Sequence, residues 1–160
     1  MLFSELHGAE TALAQEYRAV AGRQAADHGT HYPCRSLADQ CDAHAARLRT
    51  IAERYGQDLS EPRHSETLAA VLGAVRHKSS ELLGRRPESG LLLLRDLRRL
   101  FLMAQEANVH WILLGQVAQA VRDGDLLADV DALHRQTLTQ IKWLKTRLKD
   151  ASPQILTVAD

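Results

Sequence analysis

Residues 90–121 constrain what this chain can fold into more than any other stretch. They read GLLLLRDLRRLFLMAQEANVHWILLGQVAQAV. In the first half, Leu93, Leu94, Leu97, Leu100, Phe101 and Ala104 fall along one helical face, with Arg95, Arg98 and Arg99 away from it. In the second half, Met103, Val109, Trp111, Ile112, Leu113, Leu114 and Val117 point in nearly every direction around a helix. A helix that is apolar all round must be covered all round, by a core or by another subunit. Glu106 and His110 stand one turn apart inside that apolar half and form the leading functional pair in the sequence.

The same period recurs along the rest of the chain. Leu2, Leu6, Leu13, Tyr17 and Val20 predict a first helix from about Leu2 to about Asp27, stopped by His28 and Gly29. Pro33 suits the first turn of a second helix, which the spacing of Leu37, Cys41, His44, Leu48 and Ile51 carries from about Cys34 to about Tyr55. Gly56 ends it. Between Pro62 and Pro87, residues 65–83 keep helical spacing through Leu68, Val71, Leu72, Val75, Leu82 and Leu83. The long helix follows, from about Ser89 to about Arg122. Asp123-Gly124-Asp125 reads as a turn with an N-cap signal. A last helix, about Leu126 to about Asp150, turns Leu126, Val130, Leu133, Thr137, Ile141, Leu144 and Leu148 inward. Ser152-Pro153 is expected to end it, leaving residues 152–160 as a tail.

These elements predict an all-α chain with one bundle domain over residues 1–151. Short connections make each helix pair antiparallel, and a long crossover carrying an extra helix joins the two pairs. No segment sustains period-two alternation, and only 4% of residues are aromatic, which favours helix over sheet. Lys plus Arg and Asp plus Glu are 20 each, so the net charge is zero and nucleic acid is not expected as a partner. Arg98, Arg99 and Glu106 interrupt the most apolar region, and no run reaches the roughly 18 residues of a membrane span. The N-terminal MLFSELHGAETALAQEYR lacks a basic segment followed by an unbroken apolar one, so no signal peptide is expected. A cytoplasmic protein follows, with Cys34 and Cys41 reduced. At about 1.5 Å rise per residue, two turns of helix separate their Cα atoms by roughly 10 Å, too far for a disulfide.

Four passages carry a family likeness: AETALAQEYRAVA in the first helix, CDAHAARL in the second, LLLLRDL with QEANVHW in the long one, and DALHRQTLTQIKWLKTRLKDASPQ in the last. On these the chain resembles the ferritin-like superfamily of four-helix bundles, among its small bacterial members. The resemblance implies a metal centre of iron or another divalent transition metal. Such a centre takes a Glu from the first and third core helices and a Glu-x-x-His from the second and fourth. Carried over residue by residue, Glu10 or Glu16 is the first carboxylate and Glu106 the third-helix one. Cys41-Asp42-Ala43-His44 supplies a histidine with Cys41 in the carboxylate position, and Asp131-Ala132-Leu133-His134 supplies another with Asp131 for Glu. Counting from the expected turns puts Glu16 level with His44, and His110 level with His134, with Glu106 above them.

Two functions follow. In one, the bundle works through an interface, as a homodimer, with the excess apolar surface of the long helix in the contact and Glu106 and His110 beside it. In the other, imidazoles and carboxylates from Glu10, Glu16, His44, Glu106, His110, Asp131 and His134 bind iron, manganese or zinc, with or without oxidase chemistry. Each residue also has a plainer role. His44 on an apolar stripe suits a hydrogen-bonded core histidine, and Glu106 with His110 suits a one-turn side-chain pair.

Overall fold

The computed structural model describes residues 1–59 and 89–157. Among them are four helices and no strand: α1 (Leu2–Arg23), α2 (His28–Arg54), α3 (Ser89–Ala120) and α4 (Gly124–Leu156). The helix expected over residues 65–83 and the last residues of the expected tail, 158–160, lie outside the described residues.

The ends of the helices depart from the sequence reading at three places, each for a visible reason. First, α1 stops at Arg23, and His28 and Gly29 open α2 instead of closing α1. Asp27 decides this. Its carboxylate accepts from the Gly29 N–H at 3.1 Å and the Thr30 hydroxyl at 2.8 Å, satisfying donors that a helix start leaves bare. Pro33 therefore sits inside α2 and not at its first turn. Second, α3 ends at Ala120, and the chain reverses through Arg122 in a left-handed conformation (φ 55°). Asp123 then caps α4 by accepting from the Leu126 N–H at 2.9 Å, as its sequence context predicts. Third, α4 continues through Ser152-Pro153 to Leu156. Ile155 packs on Gly90 so closely that a Cβ there would lie 2.8 Å from it, and this contact holds the last turn against α3.

Packing follows from the stripes. α1 packs along both α2 and α3, α3 packs along α4, and a thinner seam joins α4 to α2. The core has two apolar halves. One gathers Leu13, Tyr17, Val20, Cys34, Ala38, Leu97, Leu100 and Leu144. The other gathers Phe3, Leu6, Leu48, Ile51, Trp111, Leu114, Ala118, Leu126 and Val130. Each half takes side chains from all four helices. Buried polar residues lie between them in the sequence of each helix except α3: Glu10 in α1, His44 in α2, Thr137 and Gln140 in α4. Small residues, Ala104 and Ala107, hold the corresponding stretch of α3.

Ion pairs fix the outside. Arg47 and Arg54 of α2 share Asp129 of α4 at 2.6 and 2.8 Å. Arg147 of α4 reaches the Asp27 cap at 2.9 Å. Arg18 bridges Asp39 and Asp42. On the outer side of α3, Leu102, Val109, Ile112, Leu113, Val117 and Val121 are exposed.

Candidate functional site

The polar residues between the two apolar halves form one layer across the bundle. Glu10, with no exposure at all, is its centre. Its Oε1 accepts from Trp111 Nε1 at 2.7 Å and from His44 Nδ1 at 3.2 Å, while its Oε2 is buried with no partner among the described residues. His44 is 1% exposed, and its Nε2 lies 3.0 Å from Gln136 Oε1 on α4. The Glu10 carboxylate can only accept, so Nδ1 donates to it, and the Gln136 amide presents its oxygen to Nε2, an arrangement that favours the protonated ring. The His44 and Trp111 rings meet edge-on, with centroids 6.0 Å apart.

A second set of polar contacts extends the layer toward α2. Tyr17 donates to Gln140 Oε1 at 3.2 Å, and Gln140 Nε2 donates to Gln40 Oε1 at 2.7 Å. Cys41 Sγ lies 3.6 Å from the Gln140 amide. Thr137 Oγ1 is buried without a partner among the described residues.

The electrostatics follow from burial set against these contacts. Burial is the largest influence on His44 and opposes its charge. The Glu10 hydrogen bond and charge, with help from Gln136, outweigh it and raise the imidazole pKa above its ordinary 6.5. Burial pushes the Cys34 thiol up to about 12, with Asp96 and Asp27 adding to the rise. Burial, helped by Glu10, drives Cys41 higher still. Both are free thiols, as the two-turn spacing predicts, and both stay protonated and unreactive at neutral pH.

The layer brings together only part of the expected set. Glu10 and His44 meet; Glu16 does not join them. It pairs with Arg23 at 2.8 Å and Arg99 at 3.3 Å, in a cluster around the buried Asp96. Arg23 and Gln24 donate to that Asp96 at 3.0 to 3.2 Å. Glu16 and His44 are not level, because α2 begins at His28, six residues before Cys34, which moves the α1 position level with His44 back from Glu16 to Glu10. His134 faces α3, not α2. Its Nε2 donates to Asn108 Oδ1 at 2.6 Å, and burial holds its pKa below 6.5 although Asp131 pulls the other way. Asp131 and Glu106 are exposed. His110 is half-buried, with Nδ1 unpartnered among the described residues.

Trp111, Gln136 and Gln140 escaped the sequence reading as members of the layer. Gln140 left a signal: it lies one turn from Thr137, on the stripe that Ile141 and Leu144 continue. Asp96 left one too, as an acid between Leu94 and Leu97. The Trp111 indole left none, because an aromatic on an apolar face reads as core.

Among the described residues no three His, Cys, Asp or Glu side chains form a group able to hold a metal ion. None of the described helices is long and apolar enough to cross a membrane. No protein-family model, curated protein or solved structure matches the chain.

Proposed function

We propose that this chain works by association, through the outer face of α3, and that the partner is a second copy of itself. The observation that carries this reading is the exposure of that face: Leu102 and Val109 at 52%, Leu113 at 48%, Ile112 at 46% and Val117 at 45%. At about 100° per residue Leu102, Val109 and Leu113 point away from Ala104, Trp111, Leu114 and Ala118, which fill the core, and Ile112 and Val117 flank them on either side. A contiguous apolar strip of this kind marks a contact surface. Self-complementarity of the strip favours a second copy. A two-fold between Val109 and Leu113 would lay α3 against its own copy in reverse and set Val109 of each against Leu113 of the other, so that the strip covers itself with apolar surface.

The finer architecture belongs to the same proposal. Contacts between α1 and α3 run from Arg23–Asp96 to Glu10–Trp111, and those between α2 and α4 from Thr30–Arg147 to Arg47–Asp129. Both runs descend one helix as they climb the other, which supports antiparallel neighbours. The order α1–α2, long connection, α3–α4 supports a ferritin-like arrangement.

Light scattering of the protein at micromolar concentration tests the association. Each Leu or Val covered contributes about 1.5–3 kcal/mol, so a dimer is expected, and Leu113→Arg is expected to return it to a folded 17.8 kDa monomer. A wild-type chain that runs as a 17.8 kDa species at every concentration would remove the proposal.

A further inference from the structure

The family likeness implies iron or a similar divalent metal at the middle of such a bundle, and the residues found there do not fit one. A bound transition metal needs several convergent donors with free lone pairs. Glu10 Oε1 is taken by the Trp111 indole and by His44. Both nitrogens of His44 are engaged, one on Glu10 and one on Gln136. Facing them, α4 offers Gln136, Thr137 and Gln140, and α3 offers Trp111 beside Ala104 and Ala107. That leaves one oxygen, Glu10 Oε2, and the Cys41 thiol, which burial and Glu10 keep protonated, and these two are not a coordination sphere.

What the layer can do is fix the helices. Glu10, His44, Trp111 and Gln136 come one from each helix. Leu6 and Leu13 lie one turn to either side of Glu10, and Leu48 and Cys41 to either side of His44, all of them buried. Sliding one helix by a turn, about 5.4 Å, would face the Glu10 carboxylate with an apolar side chain in place of its donors. A buried charge without a partner is disfavoured strongly enough to exclude such packings.

We infer that this layer is a metal-free centre in which the Trp111 indole and the His44 imidazole together hold the Glu10 carboxylate, and that it specifies one alignment of the four helices.

Two measurements test it. Protein purified without an affinity tag is titrated with Fe²⁺ under argon and separately with Zn²⁺ and Mn²⁺, and bound metal is counted after gel filtration. No stoichiometric uptake is expected; uptake that Glu10→Gln abolishes overturns the inference. In parallel, Trp111→Phe, Glu10→Gln and the double variant are compared with the wild type by amide NMR and denaturant unfolding. Each single variant is expected to shift the unfolding midpoint down and to split or broaden core resonances. The double variant should fall scarcely below the worse single, because the indole has no carboxylate left to hold. Strictly additive midpoint shifts, with one sharp resonance set throughout, would also overturn it. If Glu10→Gln does not fold, Trp111→Phe alone decides: a single sharp set identical in dispersion to the wild type rules the inference out.

Discussion

His44 shows how far one residue can be understood from its neighbours in sequence. Its place on an apolar stripe is legible from the spacing of Cys41, Leu48 and Ile51, and the structure buries it as that stripe requires. Its partner is not legible, because the partner depends on where α2 begins, and Asp27 sets that through hydrogen bonds to Gly29 and Thr30. Truncating His44 to Ala leaves Glu10 buried without its cationic neighbour, and the expected loss is about 3–5 kcal/mol of unfolding free energy. The loss depends on pH. The pKa of His44 is raised in the folded state, so its contribution is complete below the ordinary imidazole value of 6.5 and disappears as pH rises through the folded-state value. Urea unfolding of wild type and His44→Ala at several pH values should therefore show the widest gap on the acid side and a narrowing gap above 6.5. His134 is shifted the other way, so stability from its neutral form is lost as pH falls below 6.5. It is present in both proteins and cancels in the difference. A gap that widened as pH rose would contradict the charged state assigned to His44.

At the scale of whole helices, period and caps carry different amounts of information. The 3.6-residue period places α1 to α4 correctly and gives their inward faces, because burial of a stripe is a property of many residues at once. The ends depend on single side chains. Gly29 resembles a helix stop and Pro33 a helix start, yet Asp27 overrides both by supplying an acceptor where bare N–H groups need one. Asp27→Ala is expected to cost about 1 kcal/mol through the lost cap, with a further loss where Arg147 is released. Thermal unfolding of Asp27→Ala beside Asp27→Asn, which keeps a capping oxygen, separates the two contributions. Equal midpoints for both variants would show that the cap contributes nothing beyond the ion pair. The apolar girth of α3 was legible from its residues alone, with Val109 and Leu113 opposite Trp111 and Leu114. What lies against that outward side was not, since a sequence records which side chains avoid water without recording what they meet.

The four described helices enclose two apolar halves separated by hydrogen-bonded polar groups. Composition and period predict the helices. They do not predict the division, because Glu10, His44, Thr137 and Gln140 are far apart in sequence and become one layer only when the helices align. The division bears on how the protein comes apart. Cooperative opening units often coincide with supersecondary motifs, which in a helix bundle means the loss of a helix or a helical hairpin. Here each apolar half contains a piece of every helix, and a plane of buried polar groups lies between the halves. Thermal openings should follow that plane. Under mild denaturant, amides near Leu48, Ile51, Leu114, Ala118 and Val130 are expected to exchange with one common free energy. Those near Val20, Ala38, Leu97, Leu100 and Leu144 should share another. Exchange groups that sorted by helix would mean that the chain opens along its length. Groups that sort by height would make the bundle two stacked cooperative units threaded by the same four segments, able to loosen at one pole while the other keeps its grip.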